Sequence, residues 1–146
     1  MKKLGISFTF LVSSFLSFAQ KSPVYVKSGY AIGGYDPVAY FTMHKPVKGS
    51  GTITYQWQGA NWCFSSEENM KSFKSSPEKY APQYGGYCAY GLADGHKATT
   101  EADAWTISGG KLYLNYNKDI QSSWLKDKDS YIKKADTKWP DLKDKD

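Results

Sequence analysis

The chain has 146 residues, 19 of them basic and 14 acidic, with a formal net charge of +5. Every basic residue is a lysine, so the bidentate guanidinium fork that reads phosphate and carboxylate is missing. The lysines alternate with acids, as in Lys126-Asp127-Lys128-Asp129; this is a solvated, mixed-charge surface, which argues against a nucleic-acid partner.

The N-terminus reads as an export signal. Lys2 and Lys3 precede an apolar stretch from Leu4 to Phe18, diluted by serines, and Ser17-Phe18-Ala19 is a small-x-small cleavage site. Cleavage is expected after Ala19. The stretch is too short and too serine-rich for a membrane span, and no cysteine follows the cut to take a lipid. The expected product is periplasmic or extracellular, with no membrane anchor. The expected organisation is a signal peptide over residues 1–19, a lead-in over 20–34, one domain over 35–142 and a charged tail over 143–146.

Along the mature chain, Pro37 disfavours helix at Asp36, so Tyr35-Asp36-Pro37 starts as a turn that Asp36 caps. A short helix or strand follows. Ile53, Tyr55 and Trp57 alternate with polar residues at the period of a half-buried strand. Gly59-Ala60-Asn61 turns the chain into a return strand at Trp62-Cys63-Phe64, with Cys63 on the face opposite Trp62 and Phe64. Ser65-Ser66-Glu67-Glu68 has the form of a capping box with Ser65 as the cap, opening a helix that runs to about Lys74. Ser76-Pro77 opens a second short helix, with Tyr80 as its buried residue. Trp105, Ile107, Leu112 and Leu114 flank Gly109-Gly110 as a second hairpin. Beyond Asn117, Ile120, Trp124, Tyr131 and Ala135 recur near helical period, in one helix or in two that part near Asp127–Asp129. Trp139-Pro140 closes the ordered part, and the tail beyond it frays. The fold class is α+β: short antiparallel hairpins against several helices, around Trp57, Phe64, Phe73, Trp105 and Trp124.

The loop Tyr84-Gly85-Gly86-Tyr87-Cys88-Ala89-Tyr90-Gly91 places one thiol among glycines and tyrosines. Glycines permit positive φ or close approach, and the rings screen the sulfur from water. With 5 Trp, 12 Tyr and 7 Phe, the aromatics serve either a core of few, large side chains or a ligand-stacking surface.

Several blocks together resemble the YHS family in its exported branch, over Tyr35 to about Leu142. They are Tyr35-Asp36-Pro37-Val38-Ala39-Tyr40-Phe41, Phe64-Ser65-Ser66-Glu67-Glu68-Asn69, Pro77 through Ala89, Gly110-Lys111-Leu112-Tyr113-Leu114-Asn115 and Trp139-Pro140. The resemblance implies a small domain distantly like treble-clef metal-binding domains. Similar exported proteins sometimes place selenocysteine at the position of Cys88, which implies redox or soft-metal chemistry there. The related metal-binding domains use cysteines at positions matching Ala39, Ser65 and Asn69. None is present here, so a tetrahedral zinc site does not carry over.

Cys88 admits three roles: a functional free thiol, half of a disulfide with Cys63, or a small buried residue. His96, in Asp94-Gly95-His96, could fold back toward it as a weak partner, and Cys63 is a second weak partner. Tyr84, Gly85, Gly86, Tyr87 and Tyr90 form the expected ligand loop. No Ser-His-Asp order, HExxH motif or phosphate loop is present, and the reading points away from an enzyme. Two functions follow. One is soft-metal handling, with copper(I) as the ion that suits sulfur, or thiol redox work at Cys88. The other is a binding module for a small organic ligand or glycan, with Cys63–Cys88 as a structural disulfide.

Overall fold

A computed structural model describes residues 23–145, so the expected signal segment and its cleavage site lie outside the described residues. The order of elements is β1 (Val26–Lys27), β2 (Tyr30–Ala31), α1 (Pro37–Thr42), β3 (Ser50–Trp57), β4 (Ala60–Phe64), α2 (Glu67–Ser75), α3 (Pro77–Tyr80), α4 (Ala89–Asp94), β5 (Trp105–Ser108), β6 (Lys111–Leu114), α5 (Lys118–Leu125) and α6 (Lys128–Leu142). The strands pair as three separate antiparallel hairpins, and the class is α+β as expected. No helix among the described residues is long and apolar enough to cross a membrane.

The main hairpin holds the larger core. Tyr55 pairs with Trp62 and Trp57 with Ala60, and the rings of Tyr55, Trp57, Trp62 and Phe64 close on Phe73 of α2, at centroid distances of 6.3, 5.7, 5.1 and 5.2 Å. Trp62, Phe64 and Phe73 are fully buried. The turn is Gln58-Gly59, both at positive φ, which suits a two-residue hairpin. Ala60 and Asn61, expected in the turn, are strand residues.

A second core lies under the C-terminal helices, where Tyr84, Leu92, Tyr113, Trp124 and Ala135 meet. Trp124 is fully buried, whereas Trp57 and Trp105 are only partly buried against the first core. Tyr80 is likewise only partly buried. The C-terminal segment is two helices, parted at Lys126 and Asp127. Pro140 sits inside α6 instead of ending it. Packing explains this: Trp139, beside it, lies against the rings of Tyr84 and Tyr87, which holds the last turn in place despite the missing N–H. Lys97 also donates to the carbonyls of Lys143 and Lys145.

The lead-in is not separate from the rest. Val24, Ala31 and Ile32 belong to the first core, and β1–β2 is a third hairpin the sequence reading did not anticipate, with only two residues in each strand.

Asp36 ties α1 to α2. It is fully buried; its Oδ1 caps α1 by accepting from the Val38 and Ala39 N–H groups at 2.9 and 3.2 Å. Its Oδ2 accepts from the Ser65 N–H, the Ser65 hydroxyl and Asn69 Nδ2 at 2.8, 2.7 and 2.8 Å. Ser65 is thereby committed to Asp36, and the cap of α2 passes to Ser66, whose hydroxyl accepts from the Asn69 N–H at 3.1 Å. The expected cap was one residue too early.

Asp36→Asn keeps the shape but turns an amide N–H toward three donors. We expect it to lower unfolding free energy by about 3 kcal/mol, the scale of hydrogen bonds to a charged group. The exposed Asp141→Asn should stay within about 0.5 kcal/mol. Urea melts of both variants measure the difference.

Candidate functional site

The glycine–cysteine loop is packed, not open. Tyr84, Gly85 and Gly86 have φ of 57, 62 and 86°, and a Cβ on Gly85 would stand 1.8 Å from the Pro23 carbonyl oxygen. Only glycine allows the N-terminal segment to lie this close, where the Tyr25 N–H donates to the Gly85 carbonyl at 2.9 Å. The tyrosines expected around a ligand are used in packing. Tyr84 is buried and donates its hydroxyl to Asp136 Oδ1 at 2.8 Å; burial foremost, and then Asp136, push that hydroxyl well above the ordinary tyrosine range. Tyr87 contacts the rings of Tyr25 and Trp139, and Tyr90 lies on Tyr131 at 5.0 Å.

Cys88 immediately precedes α4 and is 1 % exposed. Its thiol donates to Asn115 Oδ1 at 3.5 Å and accepts from the Tyr116 N–H at 3.2 Å. The same Asn115 oxygen accepts from the Tyr90 N–H at 3.2 Å. The sulfur thus joins the end of β6 to the start of α4, and its proton has an acceptor. His96 does not join it. That side chain is exposed, 3.6 Å from Asp94 Oδ2, and its ring lies over Gly91. Both cysteines are free, so the structure contains no Cys63–Cys88 bridge.

The donor set does not suit a resident metal. Among the described residues no three His, Cys, Asp or Glu side chains group closely enough to hold one. The hydrogen-bond partners of Cys88 are an amide oxygen and a backbone N–H, and copper(I) needs a second soft ligand.

Cys63 is buried as well, at 2 % exposed. Trp62 and Phe64 face the core, so strand alternation turns Cys63 the other way, into a cleft of about 730 Å³. One wall is the segment from Tyr25 to Tyr35, another is Pro46 to Gly51, and the third is Thr100 to Asp103. Gly49 passes directly over the backbone at Cys63: a Cβ there would lie 2.6 Å from the Cys63 carbonyl carbon. Gly49 N–H donates to the Gly34 carbonyl at 2.8 Å, which locks the first two walls together. Lys48 donates to the Gly33 carbonyl at 2.8 Å and sits over the Tyr35 ring at 4.7 Å. The third wall is held by the Tyr40 hydroxyl, which donates to the Ala102 carbonyl at 2.8 Å, and by the Thr100 hydroxyl on the Gly86 carbonyl at 2.8 Å. Burial raises the Cys63 thiol pKa, and the nearby Lys48 charge offsets part of that rise.

Sequence reasoning missed this cleft because its walls come from three distant segments. One signal was present: three consecutive apolar residues, Trp62-Cys63-Phe64, mark a strand covered on both faces.

In the native protein, iodoacetamide should alkylate Cys63 before Cys88, because Cys63, although 2 % exposed, lines the cleft. The Cys63 rate should keep rising through and above the ordinary thiol pKa of about 8.5. Peptide mapping over time measures both rates; Cys88 labelled first would contradict this geometry.

No curated protein and no solved structure matches the chain significantly. One family model does. Its span, from α1 to Tyr84, includes Cys63 and stops short of Cys88: a YHS domain is found at residues 38–84.

Proposed function

We propose that this is an exported, non-enzymatic binding module that takes a small organic ligand into the cleft floored by Cys63. Export rests on the Lys2-Lys3 start, the apolar Leu4–Phe18 stretch and the Ser17-Phe18-Ala19 site. The observation that carries the binding role is the cleft itself. Its volume of about 730 Å³ lies within the range of small-molecule sites. Tyrosine rings line it beside lysine and carboxylate side chains, the usual mixture of contact area and orienting groups. The Tyr84–Tyr90 loop is the support for this cleft: Gly86 holds Thr100, and Gly85 holds Tyr25.

The test is a fragment screen read by ¹H–¹⁵N chemical shifts. Hits should move Tyr30, Tyr35, Lys48 and Thr100, and Ala102→Trp should abolish them while leaving the melting temperature nearly unchanged. Hits confined to the face around Tyr87 and Tyr90, or no hits at all, would contradict the proposal.

The YHS domain is consistent with metal binding, which favours a second reading in which a soft metal ion is the cargo. Cys63 is then the thiol it reaches, since Cys63 lines the cleft. Silver(I) titration should show binding that Cys63→Ser removes and Cys88→Ser retains. The reverse pattern would restore Cys88 as the site, and no binding in any variant would remove the metal reading.

A further inference from the structure

We propose that the ligand of this cleft is a small zwitterion, with a free amine and a free carboxylate, of about the size of a dipeptide; this rests on the cleft being the binding site. The charges lining it are sorted by wall. Lys27 and Lys48 both flank the left-handed Gly33 turn: the Lys27 chain lies 3.9 Å from where a Gly33 Cβ would be, and Lys48 donates to the Gly33 carbonyl. Glu101 and Asp103 belong to another lining segment, Thr100 to Asp103, one on each side of Ala102 in the chain.

That wall is fixed by its backbone. Besides the Tyr40 bond to Ala102, the Glu101 N–H donates to the Asn115 carbonyl at 3.2 Å, and the Ala104 N–H to the Glu101 carbonyl at 3.2 Å. The acids are therefore presented by a loop that is not free to collapse toward the lysines. The ion pairs His96–Asp94 and Lys128–Asp129 lie outside the cleft and use none of its charged side chains.

A ligand with a single charge would meet attraction on one wall and repulsion on the other. A zwitterion laid across the cleft, with its carboxylate toward Lys27 and Lys48 and its amine toward Glu101 and Asp103, is attracted by both. Tyr30 and Tyr35 supply apolar faces between the two charged ends. The cleft is large enough to hold both ends of such a molecule at once.

Isothermal titration with glycyl-phenylalanine, its N-acetyl form and its C-terminal amide tests this. The unmodified dipeptide should bind about 10-fold more tightly than either capped form. Lys27→Gln should remove the preference for carboxylate over amide, leaving the preference for amine over acetyl. Glu101→Gln should do the opposite. Both side chains are exposed, so neither change should alter the melting temperature. A capped form that binds as well as the dipeptide would overturn the zwitterion assignment, and so would variants that weaken all three probes equally. If no probe binds although fragments still occupy the cleft, the zwitterion assignment falls alone; if fragments miss the cleft too, the binding reading falls with it.

Discussion

The buried carboxylate of Asp36 is the constraint on which the rest of the molecule depends. An isolated carboxylate in an apolar core is prohibitively costly, and here five hydrogen bonds from Val38, Ala39, Ser65 and Asn69 offset that cost. Those donors come from α1, from the residue after β4, and from α2, so one side chain fixes three elements. Tyr40 then stands where its hydroxyl reaches Ala102, and β4 ends where Cys63 faces the cleft. Ala39, Ser65 and Asn69 come from separate segments of the chain. All three converge on Asp36.

The two thiols divide along the same physical line. Cys88 is enclosed, and its sulfur is both donor and acceptor between β6 and α4; losing its proton would leave Asn115 Oδ1 without that donor. Its partner Asn115 is itself fully buried, with Nδ2 unpartnered, so the local network has little freedom to rearrange. Cys63 belongs to a strand whose other face carries the core, and it looks into solvent-connected space walled by glycines. Both thiols are buried, at 2 % and 1 % exposed, and what separates them is that Cys63 lines the cleft.

Local signals in the sequence read well where the interaction itself was local. The alternation of Ile53, Tyr55 and Trp57, the Gly109-Gly110 turn and the Ser76-Pro77 start all became the expected elements. The class of fold followed from them. Errors arose where a distant partner outbid a near one. Ser65 was drawn from helix capping by Asp36, 29 residues away. Pro140 was held in helix by Trp139 packing on Tyr84. The loop around Cys88, read as a ligand loop, packs closely against Pro23. The same pattern, glycine beside aromatic, fits both outcomes; only the path of the N-terminal segment distinguishes them. The cleft was illegible for a related reason, since residues near 30, 48 and 102 meet only after folding.

A crystal structure of the native protein, with anomalous data at the copper edge, is the decisive measurement. The account predicts bound small-molecule density between the Gly33 turn and the Glu101–Asp103 loop, and a bare, reduced Cys88 sulfur beside Asn115. A metal peak at about 2.3 Å from Cys88 Sγ, with the cleft holding only solvent, would contradict it.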